Sequence, residues 1–155
     1  MTVFGEERDW KNYPELTNAE LDTELLVSPH FQFTTDFEAV VVRVHDGDTV
    51  TLRSDERDFD FPLRLASIDA PELGTGVSGE EARDFLAGQV LGERVFVKLS
   101  KERVEKWGRL LGDVFVGGVN VGESMVQLGF AFPFARRREG ELVSFDVILK
   151  GAGWV

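Results

Sequence analysis

The chain has no cysteine in 155 residues, which excludes disulfides, thiolate metal sites and cysteine nucleophiles. It has only two histidines, His30 and His45, and both read as structural side chains. No apolar run approaches membrane-spanning length, and Met1 to Arg8 carry neither the basic stretch nor the apolar core of a signal peptide. The expectation is a soluble, cytoplasmic protein with no membrane partner. Positive charge is also scarce: 17 basic residues against 28 acidic ones leave a net charge of -11. Diffuse binding of a polyanion is therefore disfavoured, and any phosphate site must be local. Twelve of the basic residues are Arg and five are Lys, an acidic, lysine-poor composition that suits a salt-rich environment.

What is present is enough apolar residue, 43%, for one globular domain with a sizeable core. Residues 1–36 read as an N-terminal extension packed on a domain that runs from 37 to 155. In the extension Thr17, Asn18 and Glu20 mark a helix start, with Leu21, Leu25 and Leu26 as its buried face and Ser28-Pro29 as its end. Docking of a partner protein is the competing reading of that segment.

Phe37 to His45 is rich in Val and reads as a strand; Asp46-Gly47 then turns the chain into a second strand, Thr49 to Arg53. Asp48 falls at the mouth of the face shared by Val50 and Leu52. An Asp-x-Asp start at Asp46 fails as a helix-loop-helix calcium loop, because its sixth position is Thr51 and its twelfth Arg57. From Phe59 the residues Phe59, Phe61, Leu63 and Leu65 alternate with polar or breaking ones, so Arg64 points away from the buried face of a third strand. Asp69 lies at that strand's end, Pro71 stops the ladder, and Glu72 leaves the turn. An arginine, an aspartate and a glutamate at one strand exit are what a phosphate plus a hard cation need; a merely polar strand end is the alternative.

Gly74-Thr-Gly76-Val-Ser-Gly79 matches the glycine pattern of dinucleotide sites. Those glycines should follow their strand directly, and here Asp69 to Glu72 intervene without further strand-helix units, so the stretch reads as a loop entering a helix. Ser78 and Glu81 form a capping box for that helix, whose face is Ala82, Phe85, Leu86 and Val90, with Gly92 at its close. Arg94 to Leu99 alternates as a fourth strand, Lys101 to Lys106 reads as a polar loop, and Leu110 to Val116 is the fifth strand before Gly117-Gly118. Val121, Met125 and Leu128 give a short helix ended by Gly129. Phe130 to Arg138 sets aromatics beside three arginines, a pattern that stacks bases and holds phosphates, or else a core strip followed by a solvated turn. Glu139 to Lys150 fits a helix and a strand equally. The sum is a β-rich α+β chain, a closed five-stranded barrel of the oligonucleotide-binding type with about three helices.

Three motifs together, Asp46-Gly-Asp48-Thr49, Arg64 with Asp69-Ala-Pro-Glu72, and Lys106-Trp-Gly-Arg109, resemble in order and spacing the signature of the thermonuclease (staphylococcal nuclease-like) family over residues 37 to 135. The resemblance implies a sugar-nonspecific, Ca2+-dependent nuclease acting on DNA and RNA, preferentially single-stranded, that leaves 3'-phosphate ends and works as a monomer. By position it makes Asp48, Asp69 and the carbonyl of Ala70 the metal ligands, with Asp46 and Thr49 supporting them. Glu72 orients or activates water, and Arg64 and Arg109 bind the phosphate; Lys106, Trp107, Arg136 and Arg137 touch the rest of the substrate. The chain departs from the family pattern where the loop after Glu72 is short and free of lysine. Ala135 and Arg137 also stand where the family has tyrosines, leaving Phe132, Phe134 or an arginine as substitutes. A non-catalytic nucleic-acid-binding or assembly module on the same fold is the alternative function.

Overall fold

A computed structural model of the chain describes residues 10, 13–23, 28–71, 77–106 and 108–134. In chain order the elements are α1 (Asn18–Thr23), β1 (Phe37–Asp46), β2 (Thr49–Arg53), β3 (Phe61–Leu65), β4 (Ile68–Asp69), α2 (Val77–Val90) and β5 (Arg94–Val104). They are followed by β6 (Leu110–Val116), β7 (Val119–Asn120), α3 (Val121–Gln127) and β8 (Phe132–Pro133). No helix among them is long and apolar enough to cross a membrane.

Period-2 patterning builds the sheet. In β3 the side chains of Phe61, Leu63 and Leu65 are buried while Pro62 and Arg64 face outward, because successive strand residues point to opposite faces. Antiparallel ladders join β3 to β2, β2 to β1, β1 to β5 and β5 to β6, and a parallel pairing of β3 with β6 closes the barrel. Its interior is filled by Val41, Val50, Leu52, Leu63, Val97 and Val114, all without solvent exposure. Each such side chain contributes about 1.5 to 3 kcal/mol by leaving water. Ala82, Leu86 and Val90 lie one to two turns apart on α2 and are fully buried in the same core, as the 3.6-residue period requires. Asn120 caps α3, its side-chain oxygen accepting from the N–H groups of Gly122 and Glu123 at 3.0 and 3.3 Å.

The structure departs from the sequence expectations at three places. The third strand does not run on to Asp69: it ends at Leu65, bends through Ala66 and Ser67, and resumes as β4, which pairs with β8. Lys101 to Val104 are not loop but the continuation of β5, which crosses an irregularity and pairs Val104 with Leu110. Within that irregularity Arg103 adopts a left-handed φ of 64°, a costly backbone for a residue with a side chain. Finally, α1 buries none of its residues, Leu21 being only half-buried; Leu25 and Leu26 lie outside the described residues.

The segment before β1 is held instead by the buried Leu16 and Phe33, the latter stacked on Phe37 and Phe61, and by buried charge. Glu15 and Arg57 form a two-pronged ion pair with side chains 2% and 1% exposed. The Arg57 guanidinium also donates to the Phe31 carbonyl at 2.7 Å and lies 4.7 Å from the ring centres of both Phe33 and Phe61. Arg103 reaches the same segment, donating to the carbonyls of Phe33 and Leu16 at 2.7 and 3.0 Å and to Asn18 Oδ1 at 3.1 Å. Burial lowers the Arg103 pKa, an effect that Glu15 opposes and Arg57 reinforces.

Removing one partner of a buried ion pair strands the other charge away from water. Glu15→Ala is therefore expected to lower unfolding stability by about 3 to 5 kcal/mol, read from urea melts, whereas Glu15→Leu combined with Arg57→Met should lose much less. Loss below about 1 kcal/mol in the single variant would contradict the pair's role in fixing the segment.

Candidate functional site

The site is built on the β1–β2 turn. Asp46 Oδ1 accepts the Asp48 N–H at 3.0 Å, which closes the turn from within. Gly47 is required by space: a Cβ there would stand 2.6 Å from Ala70 Cβ and 2.8 Å from Ala82 Cβ. Only a glycine lets the turn press between the stretch after β4 and helix α2. Two further bonds fix it there, Leu65 N–H to the Asp48 carbonyl at 2.8 Å and Ala70 N–H to Asp48 Oδ2 at 3.1 Å. Asp48 and Ala70, far apart in sequence, thus share one small volume.

Arg64 extends from the outer face of β3 into that volume. Its Nη1 donates to the Ile68 carbonyl at 2.8 Å and also to the Leu65 carbonyl. Its Nη2 lies 3.4 Å from both Asp48 Oδ2 and Asp69 Oδ1. The guanidinium is 5.4 Å from the centre of the Phe134 ring, within reach of a cation–π attraction. Burial raises the Asp48 pKa to about 6; Arg64 works against the shift and Asp46 adds to it.

Arg109 enters from the other side. Its backbone N–H and Nε both donate to Glu105 Oε1 at 3.1 Å, and Nη2 donates to Oε2 at 3.3 Å. Nη1 donates to Thr49 Oγ1 at 3.1 Å, and Thr49 in turn donates to Asp48 Oδ1 at 3.3 Å. A continuous chain of bonds therefore runs from Arg109 through Thr49 to Asp48 and Arg64. Sequence reasoning missed Glu105, although a carboxylate four residues before Arg109, across a turn containing Gly108, was a signal that could have found it. Arg64, Asp69, Glu105, Lys106, Arg109 and Phe134 line a cleft of about 570 Å³. Glu72, Trp107, Arg136 and Arg137, as well as residues 139–150, lie outside the described residues.

The donor set can be tested for a cation. Among the described residues no cluster of three or more His, Cys, Asp or Glu is arranged for a metal. Two carboxylates and a peptide carbonyl remain, Asp48, Asp69 and Ala70, all oxygen donors of the kind calcium prefers. Asp46 and Asp69 bring two further carboxylates to the neighbourhood of the desolvated Asp48, with Arg64 between Asp48 and Asp69. A hard divalent cation fits that set of oxygen donors.

Fold and site together define a small oligonucleotide-binding barrel with an acidic and arginine-lined cleft on its wall. Residues 62–145, more than half of the chain, match the family described as staphylococcal nuclease homologue, and the chain belongs to that family. It is similar to a micrococcal nuclease from Shigella flexneri, 37% identical over 108 residues that make up 64% of this chain and 59% of the relative. Endonuclease YhcR from Bacillus subtilis (strain 168) is 32% identical over 108 residues, 62% of this chain and 9% of its own length. A thermonuclease from Staphylococcus hyicus is 31% identical over 96 residues, 59% of this chain and 56% of its own. The chain thus spans less than two thirds of each of these relatives.

A raised aspartate pKa sets the sign of a stability effect. Asp48 favours the folded state below its ordinary value of 3.8, and that contribution is lost as pH rises through about 6. In chelator at pH 7, Asp48→Asn is expected to stabilise the fold by up to about 3 kcal/mol, with the gain vanishing below pH 4. Urea melts at the two pH values check this; equal or lower stability of the variant at pH 7 would contradict it.

Proposed function

We propose that this chain is a Ca2+-dependent nuclease that hydrolyses phosphodiester bonds of DNA and RNA without selecting the sugar. It prefers single strands, acts as a monomer and leaves 3'-phosphate ends. The observation that carries the reading is the bonded array of Arg109, Thr49, Asp48, Arg64 and Asp69, of which Arg64, Asp69 and Arg109 line one cleft. The names of the relatives, a micrococcal nuclease and a thermonuclease among them, support it.

Hydrolysis of a phosphodiester adds water in line with the leaving oxygen, and negative charge spreads over the phosphoryl oxygens. Asp48, Asp69 and the Ala70 carbonyl would hold the calcium ion, with Asp46 and Thr49 fixing the turn behind them. When bound, calcium supplies Lewis-acid stabilisation of a phosphoryl oxygen. Arg64 and Arg109 bind the phosphate as planar forks, a geometry that lysine lacks. Glu72 takes one proton of the attacking water as its oxygen bonds to phosphorus; the bond to the 5'-oxygen breaks, that oxygen leaves with the electron pair and takes a proton from solvent, and the phosphate stays on the 3' side. Lys106, Trp107, Arg136 and Arg137 contact the flanking strand.

Single-stranded DNA and RNA incubated with the protein in Ca2+ should be cut, and in chelator they should survive, with ends that resist polymerase extension until a phosphatase is added. Binding without cutting in both conditions would favour the non-catalytic module instead. Glu72→Gln keeps the side chain's shape and should lower kcat about 100- to 10,000-fold while leaving the affinity for a mononucleoside bisphosphate nearly intact. Wild-type turnover at saturation, together with much weaker bisphosphate binding, would make Glu72 a binding residue.

A further inference from the structure

The two arginines of the cleft differ in what they have left to offer a ligand. On Arg64 both terminal nitrogens are fully engaged: Nη1 with the Leu65 and Ile68 carbonyls, and Nη2 with Asp69 Oδ1 and Asp48 Oδ2. Arg109 commits Nε, one N–H of Nη2 and one of Nη1 to Glu105 and Thr49. Each of its terminal nitrogens therefore keeps one N–H that has no acceptor among the described residues. Arg64 can present a fork to a phosphate only by leaving the carboxylates. We propose that Arg64 is the selectivity element of the cation site: its guanidinium, tethered between Asp48 and Asp69, competes with cations for both carboxylates and yields them only to a divalent one. The inference rests on the reading of Asp48 and Asp69 as cation ligands given above.

The contact has the form of an exchangeable one. Nη2 stands 3.4 Å from each carboxylate oxygen, beyond the range of about 2.7 to 3.2 Å of a tight N–H···O bond, whereas Nη1 is 2.8 Å from the Ile68 carbonyl. Arg64 is thus anchored through Nη1 and only attracted through Nη2. Asp48 is fixed independently of it, Oδ2 accepting the Ala70 N–H at 3.1 Å and Oδ1 the Thr49 hydroxyl at 3.3 Å. The three side chains are 12%, 13% and 16% exposed, so salt screens their attraction little.

A tethered guanidinium acts at high effective concentration. It keeps off a dissolved ion of equal charge, which would have to shed water for carboxylates that are already served. An ion of twice the charge gains about twice the Coulomb energy from the same oxygens and displaces the guanidinium. In a chain of net charge -11, such a competitor keeps monovalent ions out of the acidic turn. By linkage, cation and phosphate then strengthen each other's binding by one common factor, because the Arg64 that leaves the carboxylates is free to meet the phosphate.

The test is calorimetric titration of the full chain, stripped of metal by chelator, with Ca2+ and with a mononucleoside 3',5'-bisphosphate. Arg64→Met removes the charge and keeps the bulk, and it should bind Ca2+ alone about 5- to 150-fold more tightly than the wild type. Arg64→Gln, whose amide can still donate to a carbonyl, should do the same and answers the question where the Met variant fails to fold. Arg64→Lys keeps a tethered cation and should stay near the wild type. Arg109→Met removes an equal charge from a residue that reaches Asp48 only through Thr49, and should change Ca2+ affinity much less. At constant ionic strength, Na+ in place of tetramethylammonium should leave Ca2+ affinity of the wild type unchanged and weaken that of Arg64→Met. The factor by which Ca2+ strengthens bisphosphate binding should be smaller in Arg64→Met than in the wild type. Unchanged or weaker Ca2+ binding by the Met and Gln variants, an equal gain in Arg109→Met, a sodium effect absent from Arg64→Met or as large in the wild type, or an unchanged bisphosphate factor would each overturn the proposal. Ca2+ binding by none of the proteins would overturn it together with the cation site. The expected pattern without cleavage of DNA or RNA would leave it standing and remove the nuclease reading.

Discussion

The parallel pairing of β3 with β6 is the constraint on which the site depends. It aligns Leu63 with Leu110, Arg64 with Leu111 and Leu65 with Gly112, and the Ala66 N–H extends it to the Gly112 carbonyl at 2.9 Å. Arg64 faces outward because its neighbours Leu63 and Leu65 must face inward, and Arg109 stands directly before β6. Closing the barrel therefore sets two guanidiniums side by side on its outer wall. The same strand positions the acidic turn, since Thr49 is opposite Arg64 in the antiparallel ladder of β2 with β3. One hydrophobic closure thus fixes three charged elements, and the charged residues need supply little of the energy that holds them.

What the sequence made legible was whatever a local period or a local turn encodes. The five principal strands, α2 with its face of Ala82, Leu86 and Val90, and the α3 spacing follow from periodicity, and the barrel follows from their order. Asp48, Arg64 and Asp69 were likewise visible as charged residues at strand ends. The failures share a physical cause, which is that the deciding partner lies far along the chain. Glu15 and Arg57 carry no local sign of being buried, because each is tolerated inside only on account of the other. Lys101 to Val104 are polar enough to look like loop, yet Val104 has Leu110 as its partner in the sheet. At Gly47 the turn was legible but its reason was not, since the atoms that exclude a side chain belong to Ala70 and Ala82.

The buried charge beneath the N-terminal segment makes the opposite use of electrostatics from the cleft. Arg57 is enclosed by Glu15, a carbonyl and three aromatic rings, so the pair is shielded from salt and satisfied in one geometry only. Apolar side chains of similar volume could hold the segment as firmly, but they would tolerate sliding. Directional bonds from Arg57 and Arg103 to the Phe31, Phe33 and Leu16 carbonyls set the register of the segment.

In the proposed function the cleft has to reconcile an acidic chain with an anionic ligand. Neither of its arginines is idle: Arg64 lies between Asp48 and Asp69, and Arg109 is gripped by Glu105 and Thr49. Each guanidinium is thereby oriented before a phosphate arrives, which lowers the entropy cost of a forked contact. The same carboxylates compete with the phosphate for the guanidinium protons, so orientation is gained at the expense of attraction. In the proposed function Asp48 and Asp69 would serve a bound divalent cation instead, leaving the Arg64 guanidinium to the phosphate. With a net charge of -11 the protein offers no long-range pull on a polyanion, so in the proposed function capture would depend on short-range contacts inside the cleft. Exposed long-range attraction is what salt screens most strongly, and short contacts in a partly buried cleft are screened much less, which makes this charge arrangement compatible with work at high ionic strength.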